Sequence, residues 1–404
     1  MRVFAVKDIR KILDFHALAL ASANDYPVAR PLLARVRSQE GRRFTGILGP
    51  RGVGKTVLLR QLAAGSPDAV YISLDTLDRE VDLFELIKKL SQDYGYGRFY
   101  LDEVHFCSGI EGVLKALYDV LDVRVWFTSS MALALQESAY DLSRRIVLRT
   151  LFPFSYREYL RFRHKIDLDP LRLDAIYARD WTAAHMRSGL HFDDYLKGGL
   201  MPFALDEPEP LEILASIRDT VIRKDVPHVA RLHTDELDML EKLLAFIGRS
   251  PIDGVNYTSL SKNLGITKYK AEQYLGLFEK AFIVQRVFPK GTNVLKEPKV
   301  LLAPPYRMLY RDYDEALGGL REDFFAEAMR YRGLPFSYLK TKRGAKTPDY
   351  VIEEDETGRT VIEIGGKSKR GNQFKDFSAD QRFVFSHGDA VDGIYRPLFM
   401  LGMA

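Results

Sequence analysis

One octapeptide constrains this chain more than any other feature. Gly49-Pro50-Arg51-Gly52-Val53-Gly54-Lys55-Thr56 satisfies G-x-x-x-x-G-K-[ST] at every fixed position. The apolar run Phe44 to Leu48 before it reads as a strand and Val57 to Leu62 after it as a helix, which is the context the pattern needs. Glycines at 49, 52 and 54 free the backbone to wrap a phosphate with N–H donors, and the helix N-terminus adds positive potential. Residues Gly49 through Val57 are then the nucleotide-binding stretch for ATP or ADP. Lys55 reaches the β- and γ-phosphates and the Thr56 hydroxyl ligates Mg²⁺.

Such a loop needs carboxylates on another strand of the same sheet, and the sequence supplies them. Ala69 to Asp75 reads as a buried parallel strand, Leu83 to Tyr94 as a helix, and Arg98-Phe99-Tyr100-Leu101 as an apolar strand ending in Asp102-Glu103. Ligands of open α/β sheets bind at that end of the strands. Asp102 is the candidate for holding Mg²⁺, directly or through water, and Glu103 for orienting and polarising the attacking water. Val123 to Ser130 is a further strand ending in hydroxyls, where Thr128 or Ser129 would sense the γ-phosphate or cap a helix spanning Met131 to Ser138. Arg144 and Arg145 precede a fifth strand, Ile146 to Leu151. Either arginine would stabilise phosphoryl charge, in the same chain or from a neighbour, or both are solvated surface.

Composition limits the alternatives. With 404 residues, 46% hydrophobic and 28% charged, the chain has the material for two to four folded domains, and a net charge of +4 permits nucleic-acid binding without arguing for it. The sole cysteine, Cys107, excludes a disulfide framework and suits a small buried side chain in a reducing compartment. No apolar run reaches membrane-spanning length and the first residues are too charged for a signal peptide, so a cytoplasmic protein is expected.

Before the loop, Asp8 to Arg37 has helical periodicity broken at Pro27. Behind the sheet, Ser155 and Glu158 form a capping box, with Phe154 placed to staple Tyr159. Helical stretches follow to a break at Lys197-Gly198-Gly199 and a hinge at Asp206 to Pro210. From Thr234, three helices and a hairpin of Ile283 to Phe288 with Lys299 to Leu302 spell a winged helix. Lys262, Lys268, Lys270 and Arg286 would meet DNA phosphates there, or the unit packs on other domains. In the last hundred residues, Leu320 to Tyr331 is a helix carrying Glu327. A hairpin of Asp349 to Glu353 with Thr360 to Ile364 sets Asp349 beside Glu363. Such carboxylates with a lysine can hold Mg²⁺ and activate water against a phosphodiester.

In this order the motifs Gly49 to Thr56, Phe99 to Glu103, Phe152 to Leu160, Tyr195 to Pro202, the winged-helix segment and Pro348 to Lys369 resemble the archaeal-type P-loop ATPases. These are AAA+/STAND-related proteins whose C-terminal part is called DUF4143. The resemblance implies an α/β core with parallel strand order 5-1-4-3-2, so that one strand separates the phosphate-loop strand from the strand of Asp102. It also implies a final domain like the PD-(D/E)xK nucleases, matched here by Pro348-Asp349 and Glu363. Where that pattern has its lysine this chain has Gly365; if the strand continues, positions 363, 365 and 367 share a face and Lys367 would supply the amine one pair further on, unless Gly365-Gly366 introduces a bulge. The expected domains are a helical segment 1–40, an ATPase core 41–151, a helical lid 152–233, a winged helix 234–304 and a nuclease-like domain 305–404. The expected function is Mg²⁺-dependent ATP hydrolysis that repositions the C-terminal parts, on DNA or on protein partners, with a homo-oligomer as one form. The alternatives are an ATP-gated, metal-dependent DNA nuclease and a nucleotide switch without motor action.

Overall fold

The protein is described from a computed structural model. It covers residues 6–78, 81–131, 142–230, 232–290, 297–339, 347–354, 358–366, 374 and 379–404. The chain forms two compact units, Met1–Phe152 and Pro153–Ala404.

The first unit opens with helices α1 (Val6–Ser22) and α2 (Pro31–Arg37). Proline at the first position of α2 suits its missing N–H. Then strands and helices alternate: β1 (Phe44–Leu48), α3 (Lys55–Ala64), β2 (Ala69–Ser73), α4 (Leu83–Tyr94), β3 (Arg98–Asp102), α5 (Ile110–Val120), β4 (Arg124–Ser129) and β5 (Ile146–Thr150). All pairings are parallel, in the order β2-β3-β4-β1-β5. This is the expected order, with β4 between the phosphate-loop strand and the strand of Asp102. Every residue of β1 is buried, as a strand covered on both faces requires. The register aligns the strand ends: Leu48 faces Ser129 and Thr150, and Ser73 faces Asp102. Every polar strand end of the sheet is therefore presented on the edge where β1 enters the glycine-rich loop.

The second unit starts with α6 (Tyr156–His164), whose capping box forms as expected: Glu158 N donates to Ser155 Oγ at 3.2 Å and Ser155 N to Glu158 Oε2 at 2.9 Å. Phe154 stacks on Phe162, with ring centroids 4.7 Å apart. Short helices α7 (Leu173–Ala178) and α8 (Ala183–Ser188) and the longer α9 (Pro210–Thr220) follow. The break at Tyr195–Gly199 is a widened turn with Gly198 at φ 132°. Next come α10 (Thr234–Arg249), α11 (Tyr257–Leu264) and α12 (Lys268–Lys280), then the antiparallel pair β6 (Val284–Val287) and β7 (Lys299–Leu302). The last part is a long helix, α13 (Tyr313–Arg332), on a sheet of β8 (Phe336–Tyr338), β9 (Tyr350–Glu354), β10 (Gly358–Gly365), β11 (Gln381–Ser386) and β12 (Tyr395–Pro397). Strands β8, β9 and β10 form an antiparallel meander, and β11 and β12 then add in parallel. Phe325 of α13 stacks on Tyr350, and Val351, Val361, Val384 and Phe374 form a separate apolar cluster. Among the described residues no helix is long and apolar enough to cross a membrane.

Candidate functional site

The loop after β1 has the backbone that a phosphate requires. Gly54 adopts φ 86°, a left-handed conformation that β-carbon sterics discourage, and from it α3 begins directly at Lys55. At Gly49 the constraint is proximity: a β-carbon would lie 2.2 Å from the carbonyl oxygen of Leu151. The first N–H groups of α3 lack helical acceptors and face out of its N-terminus, which favours an anion. Lys55 is only 5% exposed, and its Nζ donates to the carbonyls of Gly49 and Pro50, each at 2.9 Å. The ammonium is thus held inside the loop it would serve. Thr56 lies half-buried in the first turn of α3. This donor set fits a polyphosphate, and a hydroxyl such as that of Thr56 is a ligand type that suits a hard divalent cation.

Asp102 ends β3, and both of its oxygens are engaged. Tyr71 from β2 donates to Oδ2 at 2.7 Å, and Thr128 from β4 donates to Oδ1. The Thr128 oxygen also accepts from the backbone N–H of Glu103 at 3.0 Å, so one hydroxyl fastens β4 to both acidic residues. Glu103 sits at φ 53°, a region costly for a residue with a β-carbon and one that recurs at functional sites. That kink turns its carboxylate to His105, whose Nδ1 lies 3.3 Å from Oε2. Burial and the adjacent Asp102 raise the Tyr71 phenol well above its ordinary range, so it stays a donor. Ser129 is engaged locally, with its hydroxyl donating to Met131 O at 2.8 Å, and the helix expected from Met131 lies almost wholly outside the described residues.

Lys55, Thr56, Asp102, Glu103 and Thr128 therefore share one sheet edge. Arg144 and Arg145 do not. They precede the first residue of β5, and Phe44 N, at the start of β1, donates to Arg145 O at 2.8 Å. This is the opposite end of the strands, separated from the loop by the length of β1, so neither reaches the phosphate site of its own chain. Arg145 is instead paired in bidentate fashion with Asp119, both contacts at 2.9 Å. No motif in the sequence marks Tyr71, His105 or Arg30 as neighbours of this site. A lone tyrosine within an otherwise aliphatic strand was the available signal for the first.

The carboxylates of the second unit are arranged differently from expectation. Asp349 immediately precedes β9 and Glu363 lies on the adjoining β10, with Ile364 N donating to Asp349 Oδ2 at 2.8 Å, and Glu363 is buried. Glu327 does not join them. It lines a small cavity with Phe154, Tyr195 and Tyr331, where burial raises its carboxyl pKa. The glutamate of α13 that approaches the pair is Glu322, earlier on the same helix, and the lysine comes from β7. Lys299 Nζ lies 2.8 Å from Glu322 Oε2 and 2.9 Å from Asp253 Oδ1, at 8% exposure. Burial, Glu322 and Glu363 push Asp349 up to about 7, against the pull of Lys299. Among the described residues no group of acidic, histidine or cysteine side chains is arranged to hold a metal ion, and Lys367 lies outside those residues. On the three-helix segment, Lys268 pairs with Glu297, Lys270 with Glu236 and Arg286 with Glu279, while Lys262 is exposed.

Comparison with known proteins gives two family matches. Residues 41–160 match the model of an AAA domain and residues 189–303 that of a domain of unknown function, DUF8612; the latter, not DUF4143, is the family found behind the core. An uncharacterized protein of Methanocaldococcus jannaschii is 27% identical over 387 residues, covering 86% of this chain and 81% of that protein. Among solved structures, the Aeropyrum pernix ORC1 protein in complex with DNA is 15% identical with a TM-score of 0.29, covering 77% of this chain and 93% of that one. AMPPCP-bound DnaA from Aquifex aeolicus is 12% identical with a TM-score of 0.26, covering 62% and 86%. C. elegans PCH-2 is 14% identical with a TM-score of 0.27, covering 68% and 70%. With its parallel strand order β2-β3-β4-β1-β5, the first unit has the fold of an AAA-type P-loop ATPase domain, to whose family model residues 41–160 are similar.

Proposed function

We propose that the chain is a Mg²⁺-dependent ATPase whose nucleotide state acts on the second unit. The observation that carries this reading is the hydroxyl of Thr128, which joins Asp102 to the backbone of Glu103 on the sheet edge where β1 enters the phosphate loop. Gly49 through Val57 would bind the phosphates with backbone N–H groups and the Lys55 ammonium. Thr56 and Asp102 would hold Mg²⁺, with Asp102 acting through water because its oxygens already serve two hydroxyls. Bound there, the ion would screen the charge of the phosphates. Glu103 would accept the proton of the attacking water, and Thr128 would keep its backbone in the bent conformation that aims it. Arg144 and Arg145, at the far end of the strands, would not act on the γ-phosphate of their own chain.

DNA is the proposed partner of the second unit, through the exposed Lys262 and the exposed Tyr269 at the start of α12. Its last part, a helix followed by an antiparallel meander and two parallel strands, supports a restriction-endonuclease-like domain. Lys299 standing among its carboxylates favours a structural ion cluster over a metal-dependent nuclease.

Phosphate release by wild type, Lys55→Ala and Glu103→Gln tests the central reading. Lys55→Ala should lose nucleotide binding, and Glu103→Gln should bind ATP while turning over at least about 100-fold more slowly. Equal rates for Glu103→Gln and wild type would remove Glu103 from the chemistry. Nicking of plasmid DNA with Mg²⁺ or Mn²⁺ that disappears in Asp349→Ala would restore the nuclease reading.

A further inference from the structure

Outside the residues matched to the AAA family, one buried cation is built into the phosphate loop. Arg30, at 8% exposure, directly precedes Pro31 and holds an extended backbone, φ −74° and ψ 149°, that sends its side chain under the loop. Its Nη1 donates to the carbonyl of Val53 at 3.0 Å and to the carbonyl of Phe152 at 2.8 Å. Val53 is the loop residue before Gly54, and Phe152 is the last residue of the first unit.

The consequence follows from peptide geometry. In a trans peptide the C=O and the next N–H point in opposite directions. Drawing the Val53 carbonyl towards Arg30 turns the Gly54 N–H to the other side, among the donors that face a phosphate. On its other flank Gly54 is equally fixed, because its carbonyl accepts the first helical bond of α3, from Leu58 N at 3.0 Å. Glycine at φ 86° has little intrinsic preference for one orientation, so the direction of this peptide has to be imposed from outside. The second carbonyl gives the contact another role. Leu151 N donates to Leu48 O at 2.7 Å, and Leu151 O closes over Gly49. The residues leaving the first unit therefore abut the loop at its start through Leu151 and at its turn through Arg30.

Resting on the nucleotide site proposed above, we propose that Arg30 is a positioning residue of that site. It presets the Val53–Gly54 peptide for phosphate and links the setting of the loop to Phe152, the exit of the nucleotide unit. One guanidinium nitrogen, Nη1, supplies both carbonyls from the end of the long arginine stem; lysine has donors enough for two carbonyls, but its stem is shorter and brings them less far towards Val53 and Phe152.

The test compares wild type, Arg30→Gln and Arg30→Lys in steady-state ATP hydrolysis and, without nucleotide, in hydrogen exchange of peptides covering residues 48–56 and 149–153. The expected result for Arg30→Gln is a KM for ATP raised about tenfold with kcat within about twofold, as loss of preset ground-state binding requires. Arg30→Lys should lie between, near threefold in KM. Exchange should accelerate in both peptides together while peptides from β1 to β4 keep wild-type protection. An unchanged KM in a folded Arg30→Gln protein overturns the proposal, as does a fall in kcat at constant KM, which is what loss of active protein produces. If Arg30→Gln does not fold, Arg30→Lys decides by the same criteria. If wild type shows no turnover and Lys55→Ala binds ATP like wild type, the ATPase reading fails by itself. The exchange arm then still decides this one: acceleration confined to the two peptides supports it, and unchanged exchange overturns it.

Discussion

Thr128→Val removes one oxygen from the sheet edge and little else. The side chain is fully buried and β-branched, so valine keeps its shape within the strand. The hydroxyl donates to the Asp102 carboxylate and accepts from Glu103 N at 3.0 Å, so both bonds go at once. A hydrogen bond to a charged group contributes about 1.5–3 kcal/mol and a neutral one about 1 kcal/mol, which sets the expected loss of folding stability at about 2.5–4 kcal/mol. Only the part that lets Glu103 leave its bent conformation slows the chemistry. If that part is about 1.4–2.7 kcal/mol, kcat falls roughly 10–100-fold. The KM for ATP should stay within about threefold, because the loop and Lys55 keep their contacts. Phosphate release at saturating ATP gives kcat, and urea unfolding of the same preparation gives stability. Thr128→Ser, which keeps the oxygen, should restore the rate to within about threefold of wild type. A Thr128→Val enzyme with wild-type kcat and an unchanged unfolding midpoint would refute the claim that this hydroxyl organises the two acidic residues.

Two further outcomes are expected in the second unit. Lys299→Met leaves Glu322 and Asp349 without their buried cation and should destabilise this unit by about 3–5 kcal/mol in urea, while ATP turnover in the first unit persists. Glu236 is held down at about 2 by the Lys270 ammonium, with help from His233 N–H and the Tyr274 hydroxyl. A depressed carboxylate contributes stability that is complete above its unfolded value near 4.5 and is lost as pH falls towards 2. Glu236→Gln should therefore lower the thermal midpoint of the unit at pH 7 and leave it unchanged near pH 2, which calorimetry across that range would detect.

The first unit was legible because its information is local. Phe44 to Thr56 contains its own strand, turn and helix start, and Asp102-Glu103 announces a strand end. Parallel strands buried on both faces are continuous apolar runs, which the order of residues reveals without any long-range information. Arg144 and Arg145 show where locality stops. Next to a strand in sequence they could belong to either end of the sheet, and only the direction of β5 sends them away from the loop. Helix α13 presents the same limit. Glu322 and Glu327 are five residues apart, more than one turn, so choosing which approaches Asp349 requires the orientation of the helix on its sheet.

By itself the sequence determined the phosphate loop, the pair of acidic residues, the strand order through the family they resemble, and the three helices with their hairpin. Each depends on residue type at fixed short spacing, where the chain has few ways to arrange itself. Only the tertiary structure decided which distant groups serve those motifs. Tyr71 and Thr128 reach Asp102 across neighbouring strands, Arg30 reaches Val53 from before the first strand, and Lys299 stands near Asp349 where the local pattern has Gly365. A hydrogen bond or ion pair depends on distance in space and carries no trace of separation along the chain, so these partners became readable only when the fold brought them together.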